Sequence, residues 1–335
     1  MVGAGAGVPY GLPTGFGLRR RITRAIYNRI GSETEDNDDF ALKGAVGRAL
    51  DDINALNPLG PALLGTSPLS IDALLERRPE LLEVGKAAIA ATLLRDEYRS
   101  NFTIEKGDWL GNLYLRLHGD FPSFSKNTVA FVTFNYDRLI EHRLTLALAS
   151  HHGTSVDEAW EQVQRIPIIH IYGQLGQYSP NAIEDGTERV EFMHFQTQND
   201  IRVRKFRHSE RIIRASNGIH LIHERDSTSD TLTHAKKVLS KAGLIFFLGF
   251  GYDPTNLERL GTRLGGQLRR VKIVGSALGL DAGELTDARK KITNSFTGSI
   301  TGDPNDTTDF PDHRLILQED RDCIGALRYF SNLLQ

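Results

Sequence analysis

Apolar residues recur every three to four positions through the first third of the chain, then gather into short runs separated by polar stretches. The early spacing, near 3.6, predicts helices over residues 19–30, 40–55, 71–77 and 79–102. Ser70 and Asp72 behind Pro68 read as a helix start, and the acidic stretch 33–39 reads as a loop. From residue 128 the pattern changes. Residues 128–134 (TVAFVTF), 167–172 (PIIHIY), 218–223 (GIHLIH), 243–248 (GLIFFL) and 271–274 (VKIV) are short β-branched or aromatic runs, as expected of buried parallel strands, with 315–317 as a last candidate. Helical segments 138–149, 231–241, 256–268 and 323–334 lie between or after them. Strands alternating with helices predict an α/β fold, with a doubly wound, mostly parallel sheet and a large helical insertion over 18–125. One domain spanning 1–335 follows from the spread of its strand ends.

Composition narrows the class. A chain of 335 residues with 40% hydrophobic and 24% charged positions supports a sizeable core and lies far from the signature of disorder. Forty Lys and Arg against 42 Asp and Glu leave a net charge of −2, so no overall field draws the chain to nucleic acid or an anionic membrane. The single cysteine, Cys323, excludes an intrachain disulfide and any zinc site built from two or more thiolates of this chain. No apolar run approaches the ~20 residues that span a bilayer. MVGAGAG lacks the charged and apolar regions of a signal peptide, so a cytoplasmic location is the expectation.

In doubly wound sheets ligands bind beyond the carboxyl ends of the strands, and three such ends carry unusual chemistry. The first is Gly3, Ala4, Gly5, Ala6 and Gly7, running on to Gly11 and Pro13; glycines let a backbone approach a pyrophosphate, and a following helix N-terminus favours its charge. Met1 and Val2 are too few for a strand of ordinary length, so the first strand is either vestigial or begins upstream. The second end is Thr133-Phe134-Asn135-Tyr136-Asp137, where Asn135 also reads as a turn former and Asp137 as a helix cap. The third is Gly249-Phe250-Gly251-Tyr252-Asp253-Pro254-Thr255-Asn256, in which Asp253 also reads as a helix cap before Pro254.

In this order the three segments resemble the sirtuin-like family of NAD-consuming domains. GAGAGVPYGLPT is similar to that family's GAGxSxxxGIP dinucleotide loop, Thr133 to Asp137 to its TxNxD strand end, and residues 244–256 to the strand and GxGxxDPxx loop of bacterial members. The resemblance implies a Rossmann-like fold and NAD as substrate, bound by Gly3, Ala4, Gly5, Ala6, Gly11, Pro13, Thr133, Gly249, Gly251, Asp253 and Asn256. It places Asn135 on the ribose or on a water, and Asp137 in support of the loop or on a ribose hydroxyl. Deacylating members carry a four-cysteine zinc module. One cysteine cannot build it, so hydrolysis of NAD to nicotinamide and ADP-ribose, as in antiphage effectors, is the expected activity, with no metal.

Where the family has a histidine before a glycine, this chain has Tyr172-Gly173. His170 lies two residues earlier on the same strand face, open to two readings, a base beside Tyr172 or a core histidine. The second reading makes the chain a catalytically weak NAD- or ADP-ribose-binding or assembly module. His118-Gly119 precedes the Asn135 segment and reads as a helix end. The basic stretch 202–214 reads as a solvated helix face or oligomer contact before a nucleic-acid surface, and Arg19, Arg20 and Arg21 as phosphate ligands or helix surface. His151-His152 lacks metal-ligand spacing, and Trp109 and Trp160 read as core. An NAD-depleting activity implies control through a homo-oligomer or a regulatory protein.

Overall fold

The computed structural model describes residues 1–27, 37–65, 70–100, 107–117, 119–180, 201–221, 230–261, 271–297 and 313–334. After Met1 and Val2, a 3-10 segment (Ala4–Tyr10) leads into helices α1 (Gly15–Tyr27), α2 (Asn37–Ala49), α3 (Leu59–Gly65), α4 (Ile71–Arg77), α5 (Leu82–Ser100) and α6 (Trp109–Tyr114). Then follow β1 (Phe131–Thr133), α7 (Leu139–His152), α8 (Val156–Val163), β2 (Ile168–His170), α9 (Ile201–Asn217) and α10 (Asp230–Leu239). The chain continues through β3 (Leu244–Phe247), α11 (Pro254–Leu260), β4 (Lys272–Ser276), α12 (Ala282–Thr297), β5 (Leu315–Gln318) and α13 (Cys323–Tyr329). The fold is mixed α/β and mostly helical, with small parallel sheets.

Helix boundaries follow local chemistry. Ser70 caps α4 by accepting from the Ala73 amide at 3.2 Å, and Ser155 with Glu158 forms a reciprocal capping box on α8. The αL glycine Gly153 ends α7. Within the helical region α5 is central, packing against α1, α2, α4 and α9. Its run Ala87 to Ala91 is buried, and side chains this small let neighbouring helices approach closely.

Among the described residues, the strands β1 to β5 pair in parallel. β1 pairs β2 with Thr133 opposite His170, and β4 lies between β3 and β5. Val2 joins the two sheets, forming one parallel bridge to Thr133 and another to Leu248. Its amide donates to the Val132 carbonyl at 2.9 Å, and the next amide, Gly3, donates to Leu248 at 3.0 Å. The Met1 ammonium donates to the Phe246 carbonyl at 2.8 Å, and burial lowers its pKa to about 5. Two residues thus occupy a strand position that their number alone does not suggest. One apolar core joins Val132, Ile169, Phe247 and Ile273 to the helical region and α10 to α12, while a second joins Val2, Phe131 and Leu248 to α6, α7, α8 and α13.

Several expectations need correction. The described part of segment 218–223 forms no strand; Ile219 makes a single antiparallel bridge to Gly173. The Gln174 amide donates to the Gly218 carbonyl at 3.1 Å and the His220 amide to Tyr172 at 2.8 Å, which draws this segment across the exit of β2 instead of alongside a strand. The strand expected at 128–134 is confined to Phe131–Thr133. The helix expected over 40–55 ends at Ala49, and the separate helix α3 follows it. Helices α8 and α12 arise where none was expected, although Ala288, Ile292 and Phe296 repeat every four residues on one buried face of α12. Residues 33–36, Pro68, His118, 222–223 and 262–268 lie outside the described residues, as do the side chains of 201–208 in the basic stretch.

Candidate functional site

The segments that leave Val2, β1, β2, β3 and β4 converge. The two glycine-rich segments are clasped backbone to backbone, with the Gly5 amide donating to the Gly249 carbonyl at 3.0 Å. A Cβ on Gly3 would lie 2.6 Å from the Gly249 oxygen, and one on Gly249, whose φ is 57°, would fall on the Ala6 nitrogen. The glycines are therefore required first by this mutual approach. Gly249→Ala is expected to lower the unfolding free energy by roughly 3 kcal/mol, combining a left-handed backbone with a collision against rigid main chain. Gly251, which has open space around its Cβ position and no positive φ, is the internal control. Calorimetric melting of the two alanine variants checks this, and equal midpoints would contradict it.

Around the clasp, Tyr10 donates to Asp108 at 2.8 Å and the Trp109 indole to the Ala6 carbonyl at 2.8 Å, pinning the first loop to α6. Gly11 and Pro13 continue this loop toward α1, Gly11 in the αL conformation. Arg19 does not reach outward as a phosphate ligand: it is buried and donates to the Leu63 carbonyl. Arg21 is paired with Asp96. Arg20 alone of the three is exposed.

Thr133 and Asn135 stand at the centre. Thr133 accepts the Asn135 amide at 3.1 Å through Oγ1, which itself donates to the Val2 carbonyl at 3.1 Å. The Asn135 carboxamide donates from Nδ2 to the Gly3 carbonyl at 3.2 Å, joining the β1 exit to the first glycine loop. Asn135 stays half-buried. Phe134 packs edge-on against Tyr172 and Phe250, with ring centroids 5.3 and 5.4 Å away. The Tyr172 hydroxyl donates to the Asn256 Oδ1 at 2.6 Å, and Arg259 lies over its ring. Burial pushes the Tyr172 pKa far above its ordinary range, so it is a phenol donor at neutral pH and not a base. Asp253 caps α11 by accepting from the Asn256 amide at 3.0 Å, with Pro254 in the first turn. The Ser276 hydroxyl accepts the Gly249 amide at 2.9 Å and brings the β4 end to the same place.

His170 and Asp137 are both buried, in a charged cluster with Glu97 and Glu141. His170 Nδ1 meets the Asn135 carbonyl at 2.8 Å and Nε2 meets Glu141 Oε1 at 2.9 Å. A carbonyl only accepts, so Nδ1 carries a proton, and the remaining nitrogen is shared with a carboxylate. Burial works against the imidazolium, but the Glu141 carboxylate and the Asn135 carbonyl raise its pKa above the ordinary value. Both ring nitrogens are thus engaged by protein groups, and the ring is buried. His170 and Tyr172, read as neighbours on one strand face, have separate partners.

Asp137 is buried and accepts the Leu139 amide at 3.2 Å; α7 proper begins at Leu139. Burial first, and then the Glu97 carboxylate, push its pKa up to about 7. A carboxyl raised in the folded state binds its proton more tightly there than in the unfolded chain. The stability it contributes is present below its unfolded pKa of about 4 and is lost as pH rises toward 7. Asp137→Asn removes this term. Relative to the native chain, the variant is expected to gain stability between pH 4 and 7, by on the order of 1 kcal/mol per pKa unit. Urea denaturation at both pH values reads this out, and parallel curves would contradict it.

Sequence reasoning missed Glu97, Arg138, Glu141, Asp72 and Arg259. Glu141 had a signal, since it interrupts the buried face of α7 between Ile140 and Leu144. Asp72, noted only as part of a helix start, accepts the Tyr136 hydroxyl at 2.7 Å and ties α4 to the β1 exit. Glu97 belongs to a helix far away in sequence, and only the folded chain sets it beside Arg138. Among the described residues no group of His, Cys, Asp and Glu is arranged to hold a metal, and no helix is long and apolar enough to cross a membrane. Comparison with protein-family models, curated proteins and solved structures finds no match to this chain.

Proposed function

We propose that the convergent strand ends form a groove for NAD and that the chain hydrolyses the nicotinamide–ribose bond, releasing nicotinamide and ADP-ribose. In this reading the parallel segments act as one Rossmann-like, doubly wound sheet in the order β2-β1-Val2-β3-β4-β5. From Val2 the chain winds outward through β1 and β2, then returns to the other side for β3, β4 and β5. That reversal defines a topological switch point, where dinucleotides bind beyond the strand ends. The observation that carries the proposal is that both glycine-rich segments flank this switch point, with Asn135 tied to the first through its 3.2 Å bond to Gly3.

Glycosidic cleavage of NAD passes through an oxocarbenium-like state with a neutral leaving group, so it needs positioning and charge stabilisation more than a strong base. The half-buried Asn135 carboxamide suits the orientation of a ribose hydroxyl or the attacking water. Tyr172 and Asn256, joined to each other, form a polar edge of the same groove. Gly3 to Ala6, Gly11, Pro13, Gly249, Gly251 and Asp253 would flank the rest of the dinucleotide. Unrestrained cleavage would exhaust the cell's own NAD, so control by self-assembly or a protein partner belongs to the same proposal.

A second reading is favoured by one specific observation: Tyr172 stands where the sirtuin-like family carries histidine, and its hydroxyl is committed to Asn256. The groove would then bind NAD or ADP-ribose without rapid cleavage. Titration calorimetry with NAD tests what both readings share. Saturable binding that ADP-ribose competes away is expected, and no heat beyond dilution at millimolar NAD would overturn the groove itself.

A further inference from the structure

We infer that Glu141 and His170 form a buried positioning pair that fixes the main chain of Asn135, and through it the carboxamide aimed at the groove. This rests on the proposed NAD-cleaving groove. Asn135 is held at three points: its amide by Thr133 at 3.1 Å, its carbonyl by His170 at 2.8 Å and its Nδ2 by Gly3 at 3.2 Å. The middle restraint comes from a side chain whose tautomer is dictated by its partners. The Asn135 carbonyl requires a proton on Nδ1, and Glu141 anchors Nε2 at 2.9 Å.

Packing alone does not account for the pair. His170 and Glu141 are 8% and 5% exposed, and Glu141 Oε2 has no hydrogen-bond partner among the described residues. Desolvating a carboxylate against an imidazole while leaving one oxygen unsatisfied is a costly way to fill space. In return the Asn135 carbonyl is gripped by a donor that bulk water does not displace, and the grip passes to a rigid helix, since Glu141 lies in the first turn of α7. His170 is thus a positioning residue, and the reacting face of the site belongs to Asn135.

The test compares Glu141→Leu, which removes the anchor, with Glu141→Gln, whose amide still bonds Nε2 while Nδ1 keeps its proton. Glu141→Leu is expected to lower kcat for nicotinamide release about 100-fold through misplacement of Asn135, with NAD affinity within about threefold, and Glu141→Gln to restore most of kcat. Should Glu141→Leu fail to fold, the double variant Glu141→Leu/His170→Leu removes both buried polar groups together and serves the same comparison. Unchanged kcat, or losses of kcat and affinity that merely follow the loss of thermal stability in both variants, would overturn the pair. A nuclear magnetic resonance arm stands apart from catalysis: the Asn135 side-chain amide signal is expected to move in Glu141→Leu and to return in Glu141→Gln. If the native chain binds NAD without cleaving it, the cleavage reading fails while this signal still decides the pair; an unmoved signal overturns the pair alone.

Discussion

Glu97→Ala is expected to lower the unfolding free energy by about 3–5 kcal/mol, the cost of removing one partner of a buried ion pair. Arg138 and Glu97 are almost completely removed from solvent, with side chains 2% and 0% exposed. Glu97 Oε2 accepts from Arg138 Nη2 at 2.5 Å and from Nε at 3.2 Å, while Oε1 accepts the Arg138 main-chain amide at 2.7 Å. That last bond ties α5, the central helix of the insertion, to the residue just before α7. Alanine would take the carboxylate away from both the guanidinium and the main-chain amide, inside a buried cluster that also holds Asp137. Since whole-domain stabilities are only about 5–15 kcal/mol, the variant should be close to unfolding at ambient temperature. The double variant Glu97→Leu/Arg138→Met, which removes both charges, is expected to recover most of the loss. Urea midpoints measure both, and a single-variant loss below about 1 kcal/mol would show that water reaches the pair.

Asn135→Ala is expected to reduce nicotinamide release at least about 100-fold while leaving NAD affinity within a few-fold, the pattern of a group that acts on the transition state. Its carboxamide is half-buried at the meeting of two strand ends, bonded to Gly3 through Nδ2. The His170 and Thr133 bonds act on its main chain and survive truncation of the side chain. The backbone of the β1 exit is therefore expected to stay in place, and a fall in kcat would report the lost amide and not a collapsed loop. Equal losses in affinity and turnover would instead make Asn135 a uniform binding contact.

The strand-end chemistry was legible in the sequence because each element is local. β-branched and aromatic runs mark β1 to β4, and the polar or glycine-rich residues that follow them are contiguous. Ser70 as a cap and Asp253 before Pro254 were readable for the same reason. Three features were not, and each is tertiary. Val2 takes a strand position because main-chain groups on both sides pair with it, which makes up for the shortness of the segment. Residues 218–221 have a strand's composition but are captured by the β2 exit, through the Gly218 carbonyl and the His220 amide. The buried charges of Glu97, Arg138, Glu141 and His170 come from three separate elements, and no spacing rule joins them. The same cluster occupies both ring nitrogens of His170, which no local pattern announces.

The claim that Asn135 and the glycine clasp serve NAD cleavage is tested most directly by incubating the purified full chain with NAD, across a range of protein concentrations, and separating the products by chromatography. Nicotinamide and ADP-ribose accumulating in equal amounts, and lost with Asn135→Ala, is the predicted result; NAD recovered intact at every concentration would contradict it.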